Sequence, residues 1–180
     1  RRLGFSRGRR CGRKGCGRSA GDPTIGKDAF DFAPFHAALA GQRYLLVAPI
    51  PWYRDAQGTV WLDDAWHRDL LAHLDYIDDL TVLAPQAPLP DPMPDNLRKI
   101  EDAPGLRFID LPSGGSTGRA LLRVPATLAA VWRAVRRADI VHSGAAGWPL
   151  PPGLFVNPAA VLLRKPLVIV IESAFWRLTG

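Results

Sequence analysis

His142 closes the apolar stretch Ile140-Val141 and is followed by Ser143, Gly144, Ala145, Ala146 and Gly147. Small residues let a ligand approach the backbone, and an imidazole beside such a gap serves as a general base or as a hydrogen-bonding group. The plain alternative is a strand-end histidine bonded to a neighbouring loop. Glu172 follows the apolar run Leu167–Ile171. A carboxylate at the edge of an apolar core needs a partner or a shifted pKa. It is therefore a candidate for proton transfer, or half of an ion pair with Arg177 or Arg54. After the apolar run Tyr44–Ala48 come Trp52, Tyr53, Arg54 and Gly58. Trp52 and Tyr53, with Phe175 and Trp176, offer aromatic faces against which a sugar or lipid packs, or which simply pack loops. The catalytic candidates are Glu172 and His142; the substrate-binding candidates are Tyr53, Arg54, Gly58, Ser143, Gly144 and Arg177. The turn Gly114-Gly115-Ser116 offers free N–H groups before a helix, a cradle for phosphate or an ordinary connection.

Several chemistries lack their residues. No G-x-G-x-x-G follows the first apolar run, no G-x-x-x-x-G-K-[ST] occurs, and G-x-S-x-G is absent. The dinucleotide fingerprint, the P-loop and the hydrolase elbow are thereby excluded where they would have to stand. Cys11 and Cys16 make half a zinc site at most, and His36 is isolated, so no metal site is expected.

The net charge of +6 is misleading. Arg1, Arg2, Arg7, Arg9, Arg10, Arg13, Lys14 and Arg18 put eight positive charges and no acid into the first 20 residues. Subtracting those eight from the 23 basic residues leaves 15 against 17 acidic, a mildly acidic domain behind a basic tail. The tail has one aromatic, Phe5, which gives base stacking little support, and a solvated tail is the plainer reading than a nucleic-acid arm. Residues 1–20 read as a disordered Arg/Gly-rich tail and 21–42 as a linker with a helical patch near Pro34–Leu39. No apolar run approaches the ~20 residues of a spanning helix, and no cysteine lies in the folded part, which fits a cytoplasmic or membrane-peripheral protein. The first residue is Arg and the only Met is Met93, so the chain reads as a fragment of a longer protein.

The elements that position the candidates follow from periodicity. Tyr44–Ala48, Leu80–Ala84, Leu106–Leu111, Asp139–His142 and Leu167–Ile171 read as buried strands. Leu62, Trp66, Leu70 and Leu74 recur every four residues and predict a helix over 62–74, with Asp63 and Asp64 in its first turn. Pro85, Pro88, Pro90, Pro92 and Pro94 predict an extended loop free of sheet. A helix is expected over Arg119–Ala138, interrupted or restarted at Pro125, and a short one from Asn157-Pro158, as cap and first position, to Arg164. Strands apolar on both faces need helices on both sides: the expected fold is α/β, a mostly parallel Rossmann-like sheet. Parallel strands bring their carboxyl ends together, so Tyr53, Arg54, Gly58, His142, Ser143, Gly144 and Glu172 are expected on one edge.

Three segments then resemble one family. Tyr44-Leu45-Leu46-Val47-Ala48-Pro49 with a loop containing Gly58 resembles the opening of the N-terminal domain of GT-B glycosyltransferases. Ala138-Asp139-Ile140-Val141-His142-Ser143 is similar to the family's "ADIVH" strand. Arg164-Lys165-Pro166 with Leu167–Glu172 looks like its "KP-hydrophobic strand". The resemblance covers about Arg43–Gly180 and implies an acceptor-side domain spanning 43–180. It also implies a nucleotide-sugar donor held by a second domain that this chain lacks, an acceptor of unknown identity, and no resident cofactor. Many members have two glycines after the first strand where this chain offers Gly58, and many have histidine where it has Glu172. On the residues alone, a non-catalytic α/β binding module is the alternative.

Overall fold

Strand β1 (Arg43–Val47) is apolar on both faces, and a computed structural model of the chain shows why. It lies in the middle of a five-stranded parallel sheet with β4 (Asp79–Ala84) and β7 (Leu106–Asp110) on one side. On the other side lie β8 (Ile140–Gly144) and β9 (Leu167–Val170). The structure describes residues 31–101, 103–112, 116–144 and 151–170. Leu45 stands beside Thr81 on one flank of β1 and Val141 on the other. Alternation sends Leu45, Val47, Leu83 and Val141 to one face of the sheet. There they pack with Val131 and Val135 of α3 (Thr117–Arg137) and with Val156 and Ala160 of α4 (Gly153–Leu162). Tyr44, Leu46, Leu80 and Val82 go to the other face, against Leu70 of α2 (Asp64–Leu74). The expected α/β fold with a parallel sheet covered on both faces is the one observed.

A second sheet was not expected. Strands β2 (Trp52–Arg54), β3 (Val60–Asp63), β5 (Gln86–Ala87) and β6 (Leu97–Ile100) form a mixed sheet in the order β5-β2-β3-β6. The loop expected after β1 is a hairpin, β2–β3, with Gly58 at φ 88° in its turn. The Asp55 carboxylate organises that turn, accepting from the Gln57 and Thr59 amides and from Trp61 Nε1. The proline-rich stretch is not free of sheet either: β5 sits between Pro85 and Pro88, short enough that no proline need donate to a ladder. Trp52 joins the two sheets. It is 2% exposed, its indole N–H donates to Ala84 O at 2.9 Å, and its ring meets Phe108.

Three helix boundaries also move. Leu62 belongs to β3, and α2 starts after Asp63, whose carboxylate caps it by accepting from Ala65 N and Trp66 N, both at 3.0 Å. Helix α3 runs unbroken through Pro125. That proline is exposed, and it leaves the Leu121 carbonyl without its helical donor. Helix α4 begins at Gly153 rather than Asn157, because the Pro152 carbonyl already receives Phe155 N and Val156 N. The helical patch expected near Pro34–Leu39 is α1 (Ala33–Leu39), and Phe32 before it stacks on Tyr76 at 5.3 Å.

Because Trp52 fills a buried site and ties β2 to the end of β4, Trp52→Ala is expected to cost about 3–5 kcal/mol of unfolding free energy. Urea unfolding checks this; a loss under about 1 kcal/mol, the scale of an ordinary single substitution, would show that the mixed sheet is not anchored there.

Candidate functional site

The strand order β7-β4-β1-β8-β9 reverses direction at β1: the chain builds outward to one side through β4 and β7, then returns to the other through β8. In open parallel sheets the crevice outside the carboxyl ends at such a reversal is where ligands bind. A cavity of about 170 Å³ lies there. Leu46, Val47 and Pro49 line it from the end of β1, His142 and Gly144 from β8, Val170 from β9, and Trp66, Asp69 and His73 from α2.

Register explains how His142 reaches it. The residue is not at the end of its strand, as expected, but in the middle, paired with Leu46 on one flank and Val168 on the other. It shares its sheet face with Tyr44 and Leu46 and so points beneath α2. Tyr44 Oη lies 3.1 Å from His142 Nδ1, and the rings meet edge to face. His73, one turn after Asp69 on α2, donates Nδ1–H to Asp69 O at 2.8 Å, which directs its Nε2 lone pair away from the helix. The two imidazole centroids are 6.0 Å apart.

The environment sets the proton affinities. Burial holds the His142 imidazole below its ordinary value of 6.5; neighbouring His73 pushes it the same way, and Asp69 opposes them. Burial also pushes the Tyr44 phenol up to about 12, with Tyr76 adding to it, so Tyr44 is a hydrogen-bonding partner and not an acid at neutral pH. In the tautomer whose Nδ1–H donates to Tyr44 Oη, the neutral imidazole has its lone pair on Nε2 and is equipped to accept a proton from a hydroxyl placed in the groove. Among the described residues no three His, Cys, Asp or Glu side chains converge as metal ligands.

The residues expected on one edge fall into separate places. His142 and Gly144 line the groove. Ser143 points to the opposite face, fully buried, its hydroxyl donating to Asn157 Oδ1 at 2.6 Å, so it positions α4 against β8. Tyr53 pairs with Trp61 inside the mixed sheet. The Arg54 guanidinium lies over the Trp52 ring at 5.1 Å. Arg54 and Gly58 line a different groove of about 500 Å³, along the free edge of β7 with Val60 and Phe108. The single rim is thus corrected to two grooves, because the chain leaving β1 turns at once into a sheet of its own. Glu172 and Arg177 lie outside the described residues, as do Gly114 and Gly115 of the proposed phosphate turn, Gly147, Phe175 and Trp176. Tyr44, Trp66, Asp69 and His73 were missed. Tyr44 reads as part of an apolar run, but the i, i+4 pair Asp69/His73 beside the Trp66–Leu70–Leu74 stripe was a legible signal.

The depressed His142 value has a sign for stability. The unfolded chain takes up a proton near 6.5 while the folded one still resists, so stability is complete above that pH and falls on acidification. Between about pH 7.5 and about pH 5.5, the window of histidine titration, wild type is expected to lose more unfolding free energy than His142→Gln. Proton NMR should put the His142 midpoint below 6.5. Equal losses, or a midpoint above 6.5, would contradict the assigned environment. A scan against protein-family models, a search of curated proteins and a search of solved structures return no match.

Proposed function

We propose that this domain is the acceptor-side half of a glycosyltransferase, which moves a sugar from a nucleotide-sugar donor to an acceptor hydroxyl. The observation that carries the reading is the neutral, Tyr44-oriented His142 imidazole in the groove where the strand order reverses. The three segments resembling GT-B glycosyltransferases support it too, since their strands are β1, β8 and β9, the strands that line this groove.

The chemistry assigned to these residues balances simply. The acceptor hydroxyl sits in the groove and gives its proton to His142 Nε2 as its oxygen attacks the anomeric carbon. The bond from that carbon to the donor phosphate breaks, and the electron pair leaves on the nucleotide. Tyr44 holds the imidazole ring in place throughout. The donor is held by a second domain of the intact enzyme. A non-catalytic binding module of the same fold is the second reading; the hydrogen bond that already occupies His142 Nδ1 favours it, since a satisfied histidine needs no reaction to explain it.

Two measurements test the proposal. The chain by itself is expected to turn over no nucleotide sugar, because orienting two substrates supplies up to ~7–11 kcal/mol of barrier reduction. In the intact enzyme, His142→Gln is expected to lower kcat about 100-fold or more with little change in Tm. Turnover by the isolated chain, or a normal rate in the substituted enzyme, would overturn the assignment.

A further inference from the structure

Helix α3 contains Arg119, Arg123, Arg133, Arg136 and Arg137 and no acidic residue. Its water-facing side nevertheless carries an apolar stripe. Leu121, Pro125, Leu128 and Trp132 recur at intervals of four, three and four residues, which stacks them along one line of the helix. Leu121 is 59% exposed, Trp132 43%, and the neighbouring Leu122 83%. Helix α4 packs beside α3 on the same face of the sheet. It adds Leu154, Val161 and Leu162, at 61%, 67% and 74% exposure, and is followed by Arg164 and Lys165. The core accounts for neither set: the inward positions of both helices, among them Val131, Val135, Val156 and Ala160, are already filled.

We propose that the α3–α4 face is a docking surface for an anionic lipid bilayer. Exposed leucines and a tryptophan beside arginines, with acids absent, are the composition of a helix that lies in the interface. The apolar side chains enter the headgroup boundary and the guanidinium groups stay at the phosphates. Charge argues against a second copy of the chain, since a symmetric contact would set these arginines against themselves. Exposed leucines argue against nucleic acid, which rewards cations and stacking aromatics. Among the described residues no helix is long and apolar enough to cross a membrane, so the surface rests on the bilayer instead of spanning it. The groove holding His142 is on the opposite face of the sheet, under α2, and stays open to water when α3 and α4 are docked.

Co-flotation of the whole chain with vesicles tests this without reference to sugar chemistry. Vesicles of phosphatidylcholine with about one third phosphatidylglycerol should bind it at least tenfold more tightly than phosphatidylcholine alone, the anionic attraction being additive over several arginines. Leu121→Ser with Leu122→Ser should weaken binding about tenfold. So should Arg133→Gln with Arg136→Gln, at exposed positions where the circular dichroism spectrum should not change. The basic residues 1–20 would attract the same vesicles, but binding through them alone would be indifferent to both pairs of substitutions. That outcome overturns the proposal, as does equal binding to neutral vesicles or no binding at all.

Discussion

One strand has to be buried on every side for this molecule to exist. β1 is hydrogen-bonded to β4 and to β8, and it is covered by α2 on one face and by α3 and α4 on the other. The apolar character of Tyr44–Val47 follows from that position, since a parallel strand with helices on both sides has no wet face. The start of the strand is fixed by charge. The Asp139 carboxylate, just before β8, accepts from the Arg43 amide at 3.0 Å and from its guanidinium at 2.9 and 2.7 Å. Those hydrogen bonds hold the carboxyl well below the usual carboxylate range. A polar clamp thus sets the register of β8 against β1, and with it the position of His142.

The features legible in the sequence are those written in long, uniform segments. Leu80–Ala84 and Leu106–Asp110 are strands because no polar residue interrupts their apolar runs for long, and α3 is a helix because its buried positions recur over 21 residues. The mixed sheet was not legible. Its strands have two to four residues, too few for alternation to show, and prolines stand on both sides of β5. Asn157-Pro158 illustrates a different failure. The pair has the chemistry of a helix start, but the asparagine is spent on Ser143, and Pro151-Pro152 opens the helix earlier. The candidate site was half legible for a related reason. His142 is visible as a polar residue in an apolar strand, whereas its partnership with Tyr44 spans 98 positions and exists only through register. Side-chain direction within a strand decides the rest: His142 and Ser143 are neighbours in sequence and face opposite sides of the sheet.

The two faces carry different burdens. Beneath α2 are the titratable groups, drawn together around a small cavity whose walls lower the proton affinity of an imidazole. Over α3 and α4 are arginines and exposed aliphatic side chains, and neither helix contains an acidic residue. The central strands of the sheet between them are buried on both faces, whereas the edge strand β9 is largely exposed.

That separation is thinnest at one point. Gly153, at the start of α4, comes so close to β8 that an added Cβ would lie 2.6 Å from Gly144 O, and Gly144 is itself part of the groove wall. Backbone rests on backbone there, with no side chain between to yield. The two glycines act as a bearing: any side chain at position 153 would have to push α4 away from β8, the strand that carries His142.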